Sequence, residues 1–426
     1  MSKQSLLIKN GHIVDPSQDI HKISDILITD GRIKKVGNDL KPNGAEVFDA
    51  TCMLVFPGLI DMHAHLREPG GEESETIKTG CESAAAGGFT AICAMPNTTP
   101  PTDDAGRVRY ILERAKGAKA RVYPIGAITR GRNGKELVEM HDMAEAGAAG
   151  FSDDGSGVAN ARIMLNALRY ADMVGKPVLL HEEDADLAYG GQMNESALSA
   201  ELGLKGLSRL TEDIPILRDT AIAEYTGTRL HITHVSTRGA VEIIRTAKNR
   251  GVKITCDVTP HHLTLTEILV ETFDTRYKMK PPLRTADDVK VLIDGLRDST
   301  IDAIATDHAP HSPENKEVEF VDAAFGVTGF ETALGVIHRE LVSKGILTWP
   351  DVVRKMSLEP SRILGVEGGT LEIGSIGDVT IYNPDSSWNV DPRNMKSKSQ
   401  NTAFFGWELP GKVIATVVGG VLFKNE

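Results

Sequence analysis

After residue 56 the chain settles into a rhythm: a short apolar run, then an amphipathic stretch of helical period, eight times over. The runs that read as strands are Leu59 to His65, Phe89 to Asn97, Arg121 to Thr129, Ala148 to Asp154, Pro177 to Glu182, Leu230 to Ser236, Lys253 to Pro260 and Ile301 to His308. Helical patterns between them include Glu73 to Ala86, Asp104 to Lys116, Ala159 to Val174, Arg238 to Arg250 and Ala286 to Leu296. Strands that alternate with helices pair in parallel, and eight such units predict an α/β fold, a closed (β/α)8 TIM barrel. Two further helices, near Gly329 to Ser343 and Pro350 to Leu364, are expected to seal it.

The two ends of the chain carry a different pattern. Ser5 to Val55 holds short alternating runs, Leu6 to Gly11 and Asp25 to Gly31, split by Asn-Gly and Asp-Gly turn signals. Val379 to Tyr382 and Val413 to Phe423 have the same character. Neither flank is long enough to bury a good core alone, so residues 1–56 and 371–426 are expected to combine into one small β-sandwich domain beside a barrel of residues 57–370. Asn383 to Thr402, rich in Asp, Ser and Asn, reads as surface loop.

Composition narrows the functional classes. The 426 residues are 41% hydrophobic and 25% charged, ordinary for a globular chain. A net charge of −12 argues against a nucleic-acid partner, which demands a basic face, but a few local arginines can still favour an anionic substrate in a cleft. No apolar stretch approaches the roughly 20 residues needed to span a bilayer, so no membrane association is expected. The opening Met1-Ser2-Lys3-Gln4 runs straight into a strand pattern without a signal-peptide core, which points to the cytoplasm. Cys52, Cys81, Cys93 and Cys256 form no Cys-x-x-Cys pair and are expected to be small buried residues in a reducing compartment.

The chemistry lies in how the strands end. The first ends in His63 and His65, whose spacing on a strand turns both imidazoles the same way. The fourth ends in Asp153-Asp154, the fifth in His181, the sixth in His234 and the eighth in Asp307. In a barrel these ends meet at one mouth, where active sites of this fold are found. Four histidines and two carboxylates exceed one tetrahedral zinc and suit a pair of metals about 3.5–4 Å apart. Of the two adjacent aspartates, only one should enter the mouth; Asp154 shares parity with small Gly150 and Ser152, whereas Asp153 goes with bulky Phe151, which favours Asp154. Arg67, two residues beyond His65, offers a planar fork for a carboxylate; its bland alternative is an ion pair with Glu68 or Glu73. Asp61 shares parity with both histidines and is expected to orient one of them, and His261 and His262 are expected to pack behind the mouth. His12, His21, His141 and His338 fall outside it.

Together the motifs resemble those of the amidohydrolase superfamily, and within it the longer type of bacterial dihydroorotase. The matching pieces are Pro57 to Gly70, Ala94 to Thr98, Phe151 to Gly155, His181 to Asp184, Ile232 to Ser236, Ala305 to His311, Phe325-Gly326 and Gly329 to Thr332. The resemblance implies reversible cyclisation of N-carbamoyl-L-aspartate to L-dihydroorotate in pyrimidine (UMP) synthesis, with Zn2+ as cofactor, two ions per subunit, and a homodimer. It implies His63, His65, Asp154, His181, His234 and Asp307 as metal ligands, with Asp307 also the catalytic proton carrier. It further implies substrate contacts from His65, Arg67, Asn97, His311, Phe325 and Gly326. Lys280 stands where such relatives usually have an asparagine that touches substrate; a lysine can reach the same ligand with its ammonium or turn outward.

Two other readings compete. Hydantoinases and allantoinases bridge their metals with a carboxylated lysine, and Ala148 to Gly155 contains no lysine. A non-catalytic homologue that supports an aspartate transcarbamoylase would be free to lose ligands, whereas this chain keeps all six.

Overall fold

The computed structural model describes residues 5–425; the Met1–Gln4 opening and Glu426 lie outside the described residues. All eight barrel strands form: Leu59–Ala64, Phe89–Ala94, Arg121–Gly126, Gly150–Phe151, Leu179–Leu180, Leu230–Ile232, Ile254–Val258 and Ala303–Ile304. Each pairs in parallel with its neighbour, in two runs of four. Parallel bridges Phe151–Val178 and Ala64–His308 join the runs and close the ring.

The ladders are shorter than the hydrophobic pattern because the polar strand ends leave them. Their freed backbone N–H groups are taken up by buried aspartates, as buried donors must be. Asp61 accepts from His63 N and Thr306 N, both at 3.1 Å; Asp153 from Ile128 N at 2.8 Å and Thr129 N at 3.0 Å; Asp257 from His234 N at 2.7 Å. Three carboxylates thus fix the strand ends that carry the candidate site.

Helices lie between the strands where the pattern put them, and their starts are capped by side chains. Thr76 and Thr285 form capping boxes for Ile77–Ala86 and Ala286–Arg297, and Asp104, Asn160 and Thr237 cap Ala105–Arg114, Ala161–Met173 and Arg238–Asn249. One apolar cluster joins Ile60, Met62, Cys93, Ile125, Leu179, Ala303 and Ala305 to Leu364 of the sealing helix Glu359–Leu364. A larger one packs Leu59, Ile92, Phe151, Leu180 and Ile232 against the helical layer. Leu210–Thr226 is a helix the pattern did not single out: it buries Thr211, Glu212, Asp213, Asp219 and Thr220 while exposing Leu217 and Tyr225.

The chain ends do share one sheet. Val379–Asn389 runs antiparallel to Leu54–Pro57, giving an eight-stranded sheet in which three C-terminal strands continue the N-terminal set. Residues from both ends, among them Ile8, Ile26, Val55, Ile381 and Val417, form one apolar core.

Two expectations are corrected. Asn383 to Thr402 is not a surface loop: its start lies in the strand Val379–Asn389, and Ser397, Ser399, Asn401 and Thr402 are buried. The polar side chains are there to bind the barrel loops. Ser397 Oγ donates to Glu75 at 2.6 Å and Ser399 Oγ to the Ser74 carbonyl at 2.7 Å. Cys52 is exposed rather than buried, in a turn with φ +62°, while the other three cysteines are buried.

Candidate active site

Four histidines and two aspartates from five strand ends converge at the barrel mouth. His63 Nε2 lies 3.1 Å from Asp154 Oδ1 and 3.5 Å from Asp307 Oδ1, and His65 Nε2 lies 3.0 Å from Asp307 Oδ1 and 3.7 Å from Asp154 Oδ2. His181 Nδ1 is 3.7 Å and His234 Nε2 4.0 Å from Asp154 Oδ1, and these two nitrogens are 3.0 Å apart. All six residues are buried. His63, His65 and Asp307 on one side, and His63, Asp154 and His234 on the other, present donor atoms close enough to hold a cation.

The electrostatics point the same way. Burial pulls the His63 imidazole down, but the Asp154 and Asp307 carboxylates outweigh it and push it up to about 10. Burial would raise Asp154, yet His63, then His65 and His181, hold it well below the usual carboxylate range. Asp307 is likewise depressed against its burial by His63, His65 and His234. Burial and the neighbouring His181 and His63 lower His234. Two carboxylates held ionised beside an imidazole that they drive to bind a proton form a centre that attracts positive charge. Both ring nitrogens of His63 are buried without a hydrogen-bond partner, so Nε2 approaches two carboxylates without the geometry of a bond to either. A metal ion fits this donor set: it takes a neutral imidazole lone pair and carboxylate oxygens at once.

Neighbouring strand residues separate Asp153 from Asp154. Asp153 faces away from the histidines, tied to Ile128 and Thr129, while Asp154 sits among them. Asp61 departs from the parity reading: the pairing register slips between Asp61 and Ala64, and its carboxylate meets Thr306 and the His63 backbone rather than an imidazole ring. The partner of the His65 ring is instead Asn97, whose Oδ1 accepts from His65 Nδ1 at 2.8 Å and whose Nδ2 donates to Asp154 Oδ2 at 3.2 Å. Such a link fixes tautomer and ring orientation. His262 is held by Thr259 and the Pro281 carbonyl, and His261 packs against it.

A cavity of about 280 Å³ opens over the cluster, lined by His65, Arg67, Asn97, Asp154, His181, His234, Lys280, Asp307, His311, Phe325 and Gly326, with Gly155 and Ala309. The expected substrate contacts are thus brought together with five of the six ligand candidates at its wall; His63 lies beneath. Arg67 Nε donates to the Pro310 carbonyl at 3.0 Å, and Nη2 lies 3.3 Å from His311 Nε2. Glu68 is engaged elsewhere, by Arg114 at 2.5 Å and by Ile77 N. Burial lowers Arg67 to about 10, which leaves it charged at neutral pH; burial, Arg67 and Lys316 lower His311 to about 3, which leaves it neutral. Lys280 Nζ pairs with Glu183 at 2.8 Å and lies 5.4 Å from the Phe325 ring centroid. Arg67, His234 and Asp307 hold φ of +60°, +37° and +48°, strain of a kind that gathers at functional sites.

The comparisons agree with this geometry. A family model described as dihydro-orotase-like matches residues 52–240. The dihydroorotase of Pelotomaculum thermopropionicum is 52% identical over 421 residues, covering 99% of each chain. That of Geobacter metallireducens is 48% identical over 99% of this chain and 100% of its own. Among solved structures, the L-hydantoinase (dihydropyrimidinase) from Arthrobacter aurescens superposes with a TM-score of 0.88 at 26% identity, covering 99% of this chain and 96% of that one. The D-hydantoinase from a Thermus species gives 0.83 at 26%, covering 98% and 94%. With full-length relatives at this identity and the barrel mouth just described, the chain belongs to the dihydroorotase family.

Proposed function

We propose that this protein catalyses the reversible cyclisation of N-carbamoyl-L-aspartate to L-dihydroorotate, in the cytoplasm, with two zinc ions per subunit and as a homodimer. The observation that carries the reading is the unpartnered His63 imidazole between two carboxylates, under a cavity that also holds a charged arginine. His63, His65 and Asp307 would hold one ion and His181 and His234 the other, with Asp154 shared, since its oxygens lie within 4.0 Å of a nitrogen from each histidine. Bound there, the zinc pair would polarise the scissile carbonyl and make water acidic enough to attack near neutral pH.

The chain's own residues supply the rest. Arg67 binds the substrate carboxylate with its remaining N–H groups, beside Asn97 and His311. Backbone groups of Phe325 and Gly326 contact the ring, and Lys280, steered by Glu183, reaches in from the rim. In hydrolysis Asp307 takes the proton from the attacking water and delivers it to the ring nitrogen as the C–N bond breaks; in ring closure it gives a proton back to the departing water. For this purpose the chain divides into a barrel of residues 57–370 and a composite β-domain of residues 1–56 and 371–426. The pairing of Leu54–Pro57 with Val379–Asn389 supports that division.

Zinc-loaded protein assayed in parallel on dihydroorotate, hydantoin and allantoin tests the proposal. Dihydroorotate should be turned over by far the fastest, and chelation should abolish the activity with recovery on adding Zn2+. Preferred turnover of hydantoin or allantoin, or full activity after exhaustive demetallation, refutes it.

A further inference from the structure

We infer that Asn401, on the C-terminal segment outside the barrel, is a positioning residue for substrate binding: its side-chain amide ties together the two loops that carry His311 and Gly326. The inference rests on the substrate-pocket reading above.

Asn401 is 4% exposed and lies behind the cavity wall. Its Nδ2 donates to the Ala309 carbonyl at 3.0 Å and to the Gly326 carbonyl at 3.1 Å, while its Oδ1 accepts from His311 N at 3.1 Å. Its own backbone carbonyl accepts from Thr328 N at 3.2 Å. Two carbonyls and one N–H fix which way the amide points, and only a primary amide meets all three from one side chain. Aspartate has no donor, and a hydroxyl has one.

The two segments so joined run side by side and form adjoining parts of the pocket wall. Residues 309–311 carry the Pro310 carbonyl that holds Arg67 and the His311 ring that lies beside it. Residues 325–326 receive the His311 Nε2 proton at the Phe325 carbonyl, 2.8 Å away, and Gly326 N donates to the Lys278 carbonyl at 3.0 Å. Asn401 therefore closes a loop of bonds in which Arg67, His311 and Gly326 each depend on the others. The segment that bears it is itself anchored. Lys396 N and Ser397 N donate to Glu331, and Ser397 and Ser399 bind Glu75 and Ser74. The C-terminal chain thus sets the spacing of a pocket whose ligands all come from the barrel, and misplacement of binding groups by about 1 Å can cost on the order of 10²-fold.

The test uses the zinc-loaded full chain with Asn401→Ala, Asn401→Asp, His311→Ala and the double variant His311→Ala/Asn401→Ala. Both Asn401 variants should raise KM for dihydroorotate about tenfold, with kcat within about threefold and zinc content unchanged. KM in the double variant should rise by clearly less than the product of the two single effects, because Asn401 acts in part through His311, a non-additivity that a remote stabilising role would not produce. Asn401→Asp keeps the volume and the acceptor, and decides the matter if the alanine variant fails to fold. KM within twofold of the parent protein in the Asn401 variants, with His311→Ala impaired, overturns the inference and leaves the pocket reading intact; so do multiplicative losses in the double variant. An unchanged KM in His311→Ala overturns the pocket reading and with it the route by which Asn401 acts.

Discussion

Arg67→Lys keeps a positive charge at the barrel mouth and removes the planar fork, so it separates charge from geometry. In the folded protein Nε is already spent on the Pro310 carbonyl and Nη2 lies beside His311. The remaining guanidinium N–H groups are left for two parallel bonds to a carboxylate, held in one plane by those contacts. Lysine offers a single point of contact and also abandons the Pro310 carbonyl. A hydrogen bond to a charged group contributes about 1.5–3 kcal/mol, so loss of one of two should raise KM roughly 10- to 150-fold. Arg67→Ala loses both bonds and the charge and should go beyond roughly 10²-fold. The hydrogen bonds of Arg67 go to Pro310 and toward His311 rather than to any of the six ligand candidates, so zinc content should match the parent protein in both variants. The assay is steady-state hydrolysis of dihydroorotate, with KM and kcat separated and metal measured on the same samples. Arg67→Ala with KM within threefold of the parent protein would show that the carboxylate is held elsewhere.

His63→Ala should lose zinc as well as activity, since both carboxylates beside it then lack their shared neighbour; retained stoichiometric zinc would remove His63 from the ligand set. Asp307→Asn should cost roughly 10²–10⁴ in rate while losing far less metal than the histidine variant, and substantial activity at pH 8 with metal bound would assign the proton to another group. Because Asp307 is held below the usual carboxylate range, its ionised form dominates at neutral pH; hydrolysis uses that form and ring closure the protonated one. The ratio of hydrolysis to cyclisation rates should therefore rise with pH, and a flat ratio across about pH 6–9 contradicts the role. Lys280→Asn removes a partly exposed ion pair with Glu183 and should change KM by less than about tenfold, so near-complete inactivation would mark the ammonium as indispensable. Gly326→Ala puts a Cβ 2.6 Å from that of Ala309 at a φ of +125°, and should lower the thermal midpoint and raise KM together; an unchanged KM would free that loop of its substrate role.

The barrel, its eight strands and the histidines and aspartates that converge at its mouth could all be read from the chain alone. Each of these is written locally: alternating apolar runs specify parallel strands and covering helices, and a polar residue at the end of an apolar run has one mouth to occupy. The choice of Asp154 over Asp153 was legible too, because strand parity sends neighbours to opposite sides. The same rule failed for Asp61, where a slipped register in the first strand breaks the alternation, and a slip is a property of the pairing rather than of one strand. The helix Leu210–Thr226 escaped the hydrophobic pattern because its buried face is polar, with Glu212 accepting from Ser236 and Asp213 from Thr237. The sequence marks Asn97 only as a substrate contact; its bonds to His65 and Asp154 exist because the ends of the first, second and fourth barrel strands meet at one mouth. Least legible was the C-terminal segment. Its Ser, Lys and Asn composition is that of a solvated loop, yet its side chains bind backbone carbonyls of barrel loops more than 60 residues away in sequence. Local composition records that such groups want hydrogen bonds; only the tertiary structure decides whether water or a buried carbonyl provides them.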